Sequence, residues 1–172
     1  MTLIELIIFI VIVSVALVGI LTVLNFTART SADPMIRKQA LAIAEAVLEE
    51  VMLQPFTWCD PDDANAATAT GYAECSVAAA AQNNATAKVG ESRGTATPLD
   101  NVFDYNGETI KSSIAGGVNA LYEANVTVAS ATLNDIAVGT DAALLITVSV
   151  AAGSETIQLQ GYRTRYSPNF TP

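Results

Sequence analysis

The sequence predicts an α+β fold: a long N-terminal helix, apolar and projecting in its first half, packs its amphipathic second half on a C-terminal antiparallel sheet, with a long disulfide-bearing loop region between. Three observations predict it. Residues 1–24 are an unbroken apolar run, residues 122–166 alternate at the period of a strand, and the composition between residues 57 and 97 shifts to Ala, Thr, Asn and Gly with few large apolar side chains. Residues 31–172 are enough chain for one domain with a buried core.

The run MTLIELIIFIVIVSVALVGILTVL contains no Lys, Arg, Asp, Asn, Gln or Pro; its polar side chains are Thr2, Ser14, Thr22 and the carboxylate of Glu5. At about 1.5 Å per residue this helix spans about 36 Å, enough to cross a hydrocarbon core. A charge at the centre of such a helix costs about 2.5 to 3.5 kcal/mol, so Glu5 needs a partner or a route to the membrane surface.

Residues 25–34 (NFTARTSADP) are a polar interruption or kink. Asp33 and Pro34 can cap and open a second helix, and Pro34 can equally kink one continuous helix. The globular part is expected over 35–172, beginning with a helical stretch over 35–54 that Pro55 ends. Lys38, Glu45 and Glu49 form a narrow polar line on it, and Ile36, Ala40, Leu41, Ile43, Ala44, Val47, Leu48, Val51 and Met52 cover most of the rest. A helix lying on its own sheet needs an apolar stripe of only about 100°, so this one is expected to bury surface beyond its own domain.

The loop region, 55–121, holds both cysteines, Cys59 and Cys75. A spacing of 16 in a polar loop suits a structural disulfide better than a redox CxxC pair, and a disulfide implies an oxidising compartment; two reduced thiols are the alternative. A short helix is expected around 77–82. Asn84-Ala85-Thr86 is a glycosylation sequon, with an ordinary solvated loop the better reading. Strands are expected over 122–130, 144–150 and 155–166, the last two forming a hairpin through residues 151–154.

The net charge is −9, from 17 acidic and 8 basic residues. Only Glu5 and Asp33 of the acids precede residue 40, against Arg29, Arg37 and Lys38 of the bases, so the chain after residue 40 carries fifteen acids and five bases. That balance argues against nucleic acid as a partner. There is no His, which excludes imidazole catalysis and His metal sites. With no catalytic thiol motif and no phosphate-binding glycine loop either, an enzyme is not expected. Arg29, Arg37 and Lys38 after the apolar run would by charge alone stay in the cytoplasm, whereas the disulfide places the globular part outside. Both hold if Met1 is a processed end that has lost a basic leader. A cleaved secretory signal fits poorly, because no basic stretch precedes the run and no small-residue cleavage site follows it.

Thr2-Leu3-Ile4-Glu5-Leu6 and the apolar helix behind it are similar to the mature N-terminus of type IV pilins and pseudopilins. Phe is commonest at the first position of that superfamily, and Met1 departs from it. Ser31-Ala32-Asp33-Pro34 with the helix through Glu50, and Leu99 to Gly107 with the ending Gly161-Tyr162-Arg163, further resemble mannose-sensitive-haemagglutinin-type pilins and minor pilin-like proteins. The middle of the chain carries no such likeness. The resemblance implies the type IV pilin fold and a filament subunit cut by a prepilin peptidase before Met1 and N-methylated there. Helices would pack in the filament core, with Glu5 facing the Met1 amine of a neighbouring identical subunit. It implies residence in the inner membrane with the assembly machinery, then in an extracellular pilus supporting adhesion or motility. Charge chemistry agrees: an α-amino group with a pKa of about 7.7 to 8 is mostly cationic at neutral pH.

Two other readings are a minor pilin or type II secretion pseudopilin priming a short periplasmic assembly, and a single-span membrane-anchored binding domain. No cofactor is expected. Calcium has candidate ligands in Asp100, Asp104 and Asn106, with a second acidic cluster at Asp60, Asp62 and Asp63, but neither has EF-hand spacing, and capping or turn duty is the blander role. Arg163 and Arg165 alternate with Tyr162 and Tyr166, a pattern that closes a domain edge or meets a neighbour more readily than it binds DNA.

Overall fold

The computed structural model describes residues 2–83, 91–93, 97–111, 122–137, 141–153 and 155–169, and within the first helix the side chains of 28–33 lie outside that description. Met1 and the sequon at Asn84 are likewise outside the described residues.

One helix, α1 (Leu3–Leu53), contains Pro34 within it. The expected interruption at 25–34 is therefore helical, and Asp33 and Pro34 do not open a second helix. Ending a helix strands the unpaired N–H and C=O groups of two termini, whereas an internal proline removes one N–H and crowds one carbonyl. The chain forms two compact units, Met1–Gln39 and Ala40–Pro172.

In the globular unit α1 buries Ala40, Ala44, Val47 and Val51, spaced by four, three and four residues as one helical face requires. Leu41 and Leu53 stay exposed. The helix stops where Pro55, lacking an N–H, follows Gln54.

Four strands form an antiparallel sheet in the order β1 (Thr109–Lys111), β2 (Tyr122–Ser130), β3 (Ala143–Ala152), β4 (Glu155–Thr164). β1 lies in what the sequence marks as loop, and its three residues are too few to show a period. β3 and β4 extend toward each other until Ala152 pairs with Glu155, leaving a two-residue turn in which Gly153 takes φ +64°, a left-handed conformation glycine adopts without strain. Val126, Val148 and Leu159 stand in register across β2, β3 and β4. Val126, Val128, Leu144, Ile146, Val148 and Val150 form the buried face. On β4, Gly161 lets α1 come close: a Cβ there would lie 3.4 Å from Leu48 Cδ1 and 3.5 Å from Met52 Sδ.

The described part of the loop region is held by small contacts. Cys59 and Cys75 form a disulfide with Cα atoms 5.5 Å apart. Over it sits a small cluster of Cys59, Ala66 and Ala69 with Trp58 and Cys75 against it, so the alanines that look featureless in sequence permit close approach. The expected helix over 77–82 is one 3₁₀ turn, Ala78–Ala80. A second 3₁₀ turn, Val102–Tyr105, is wholly buried. Its cap, Asn101, accepts from Phe103 N–H and donates to the Thr57 hydroxyl at 2.7 Å, and that hydroxyl donates to the Cys59 carbonyl at 2.6 Å. Phe103 meets Phe56 edge-on with ring centres 5.8 Å apart, and Tyr105 donates to Glu50 of α1 at 2.9 Å.

Two outcomes follow from this packing. Gly161→Leu should destabilise the globular unit by about 1 to 3 kcal/mol through overpacking against Leu48 and Met52, read as a lowered denaturant midpoint; an unchanged midpoint contradicts the close approach. Reducing the Cys59–Cys75 bond closes no 16-residue loop in the unfolded chain and should lower stability by about 3 kcal/mol, read by thermal unfolding with and without reductant beside a two-proton change in intact mass.

Candidate functional site

Two places carry unusual chemistry, one in each unit. The first is the N-terminal part of α1. Leu3–Thr27 is 25 residues, its most apolar 18-residue stretch has a mean hydropathy of 3.2, enough with that length to cross a membrane, and none of that stretch is buried. Its hydroxyls are turned inward on the helix: Ser14 donates to the Ile10 carbonyl at 2.7 Å, Thr22 to Val18 at 2.8 Å and Thr27 to Val23 at 2.9 Å. That leaves no unsatisfied hydroxyl for an apolar environment to penalise. Glu5 lies in the first turn, where the positive end of the helix dipole favours a carboxylate, and its Oε2 accepts the Thr2 backbone N–H at 3.3 Å. In the single chain, then, Glu5 caps its own helix. Met1, the residue expected to act with it, is outside the described residues.

The second place is a cluster of carboxylates in the globular unit. The fold joins the two acidic stretches that the sequence shows separately. One oxygen from each of Asp60, Asp62 and Asp100 lies within 4.8 Å of the other two, and the same is true of Glu91, Asp100 and Asp104, so Asp100 is common to both groups. Asp60 is placed by backbone pairing with the segment after the disulfide, its N–H donating to the Ala80 carbonyl at 2.7 Å. Its Oδ1 accepts Asp62 N–H at 2.8 Å and its Oδ2 accepts Gln82 Nε2 at 3.2 Å. Asp104 turns Oδ2 to the N–H groups of Asn101, at 2.6 Å, and Asp100, at 3.3 Å, completing the capping box of its 3₁₀ turn. Capping duty thus engages half of the Asp104 carboxylate. Oδ1 of Asp104, Oδ1 of Asp100, Oε2 of Glu91 and Oε1 of Gln82 are buried without a hydrogen-bond partner. Asp104 is 0% and Gln82 2% exposed. Among the described residues no Lys or Arg pairs with any of these acids; Arg93 pairs instead with Glu50, and Lys111 with Glu123.

Crowding of like charge out of water has the expected effect on ionisation. Burial, then the neighbouring Asp60 and Asp104 charges, pushes the Asp100 carboxyl up to about 7. Burial, followed by hydrogen bonding with Asp60 and the charge of Asp104, pushes Glu91 up to about 9. Asp104 is raised as well, by burial against the opposing pull of the Asn101 N–H. Asp63, next in sequence to Asp62, behaves oppositely. Slight desolvation acts upward on it, but hydrogen bonds from the Ser76 hydroxyl and the N–H groups of Asn65 and Ser76 win and hold it below the ordinary carboxylate range.

The remaining candidate residues are structural in their contacts. Asn106 turns its Oδ1 to the Val128 N–H, accepting at 3.0 Å and tying the 3₁₀ turn to β2. Arg163 donates to the Gln54 carbonyl at the end of α1, at 3.2 Å. The Arg165 guanidinium lies 4.0 Å over the Phe56 ring and 3.8 Å over Trp58, and donates to the Tyr72 hydroxyl at 2.7 Å. A cavity of about 280 Å³ opens beside this stack, lined by Pro55, Phe56, Arg163, Thr164, Tyr166 and Ser167.

No family profile, no curated protein and no solved structure matches this chain.

The cluster predicts a pH dependence whose sign is fixed. A carboxyl raised on folding keeps a proton that the unfolded chain has lost, so stability present below the ordinary carboxylate range of about 4 is lost as pH rises toward the raised values. With chelator present and ionic strength constant, the thermal midpoint should fall between about pH 5 and pH 8, and Asp100→Asn should flatten the slope. A midpoint that rises over that interval contradicts the arrangement.

Proposed function

We propose that this chain is a structural subunit of a type IV pilus-like filament, assembled through the N-terminal part of α1. The observation that carries the reading is Leu3–Thr27, an exposed apolar helix whose single acidic side chain, Glu5, sits in its first turn. Such a helix is stable in a bilayer and equally stable among copies of itself, so a membrane-held precursor and a helix-cored filament are two uses of one surface. The likeness of Thr2-Leu3-Ile4-Glu5-Leu6 to the mature pilin N-terminus supports the same reading. The disulfide supports an oxidising destination for the globular unit.

In this reading Glu5 exchanges its hydrogen bond with Thr2 for an ion pair with the Met1 amine of a neighbouring subunit. Within an apolar bundle the pair fixes register, because a shifted helix leaves both charges buried and alone. Losing one partner of a buried pair typically costs about 3 to 5 kcal/mol. The chain would await assembly in the inner membrane, after peptidase cleavage, and end in an extracellular filament that serves adhesion or motility.

Glu5→Ala should give protein that is made and membrane-inserted at normal levels but assembled poorly. Negative-stain microscopy of sheared cell-surface material measures this. Normal filament yield from the variant would refute the register role. Wild-type filaments in which this chain is only a trace component would make it a minor pilin.

A further inference from the structure

We propose that Asp60, Asp62, Glu91, Asp100 and Asp104, with the Gln82 amide oxygen, form a calcium site. The inference stands independently of the filament reading, since it uses only the globular unit. Three observations converge on it. Five carboxylates drawn from three separate stretches of chain meet around Asp100, with oxygens in each group of three within 4.8 Å. Four buried oxygens in this cluster, on Gln82, Glu91, Asp100 and Asp104, have no hydrogen-bond partner, although Asp104 and Gln82 are almost completely removed from water. No basic side chain among the described residues pairs with the five acids. Without a cation these acceptors can be relieved only by protons retained on neighbouring carboxyls, and a bound cation relieves them while keeping the acids ionised.

The donor set selects the ion. Every available ligand is a hard oxygen; the chain has no His, and both Cys are in the disulfide. That excludes the preferences of zinc, copper and iron and leaves calcium or magnesium. Calcium takes about six to eight oxygens at about 2.3 to 2.6 Å, so opposite ligands stand up to about 5 Å apart. Magnesium demands a tight octahedron at about 2.1 Å and gives up its water reluctantly. Each triad, Asp60 with Asp62 and Asp100 and Glu91 with Asp100 and Asp104, holds one oxygen per residue within 4.8 Å, and carboxylates that can bind through one or both atoms match the larger and more flexible ion. Asp62, the exposed member, stands at the open side, where solvent and the ion have access.

The ion would staple a segment that has little else. It ties the stretch after α1, through Asp60 and Asp62, to Glu91 and to the capped 3₁₀ turn at Asp100 and Asp104, in a part of the chain with no long strand or helix. Its role is therefore to order the loop region rather than to catalyse.

The test uses the full chain in detergent micelles, freed of metal with chelator and then dialysed. Calorimetric titration with calcium chloride should give one saturable ion per chain, with an affinity between about 1 μM and 1 mM, and calcium should raise the thermal midpoint. Asp100→Asn should weaken binding at least about tenfold. Because Asp100 is half-buried and its loss could disturb folding, Asp62→Asn is the second variant. It is exposed, should keep the wild-type circular dichroism, and should also weaken binding. Asp135→Asn, in an exposed turn away from the cluster, should leave binding unchanged. The proposal is overturned by the absence of saturable calcium binding to the wild type up to about 10 mM, by wild-type affinity in Asp62→Asn and Asp100→Asn alike, or by magnesium binding as tightly as calcium.

Discussion

The first half of α1 presents apolar surface that no described part of the chain covers. Eighteen large hydrophobic side chains from Leu3 to Phe26 are more than a third exposed. Burying such a side chain fully is worth about 1.5 to 3 kcal/mol, so covering this helix is worth on the order of 20 kcal/mol or more even when partial exposure is discounted. That exceeds the roughly 5 to 15 kcal/mol by which a whole domain is stable. Whatever surrounds α1 therefore dictates where the chain resides, and the rest of the molecule must tolerate being carried there. The inward-turned hydroxyls of Ser14, Thr22 and Thr27, and the placement of Glu5 at the dipole end, are compatible with an environment without water.

Much of the fold was legible because its elements repeat. The apolar run and the alternation of Tyr122 to Ser130 are periodic over nine residues or more, and the structure places the strand on the residues the pattern marks. Elements without a period escaped. β1 has three residues, and the buried turn Val102–Tyr105 has four, so neither could declare which face it buries. The segment 25–34 left two readings open, and the helix runs through it with Pro34 inside. Polar residues and a proline mark helix ends on average, yet here helix-forming sequence stands on both sides, and one lost hydrogen bond is a smaller penalty than two new helix termini.

The acidic cluster was half legible. Asp60, Asp62, Asp100 and Asp104 are conspicuous in an acidic chain, but some forty residues separate the two groups, and nothing local says that they meet. Their meeting depends on the pairing of Asp60 with Ala80 and on the hydrogen bond from Asn101 to Thr57, both of which are contacts between loops. Glu91 gave no signal at all. Asn106, an oxygen donor in an acidic turn, spends its Oδ1 on the Val128 N–H, a contact with β2 that nothing local announces. Arg163 and Arg165 likewise looked like a surface patch, and the structure spends them on the end of α1 and on three aromatic rings.

The disulfide and the carboxylate cluster are neighbours in the chain, and that adjacency has an energetic meaning. Cys59 precedes Asp60, so the bond that closes residues 59–75 also fixes one end of the stretch that presents Asp60 and Asp62 to Asp100. Ordering a loop residue costs about 1 to 2 kcal/mol of backbone entropy, and an alanine- and threonine-rich stretch has little apolar area to offset it. With Cys59 and Ala81 already paired across the bond, that entropy is spent before the carboxylates meet, and the repulsion among them is the main term left. At the proposed calcium site a cation would relieve that repulsion. The disulfide and the proposed site therefore bear on one stretch of chain, the first holding Asp60 at its end and the second acting on the charges that the fold brings together there.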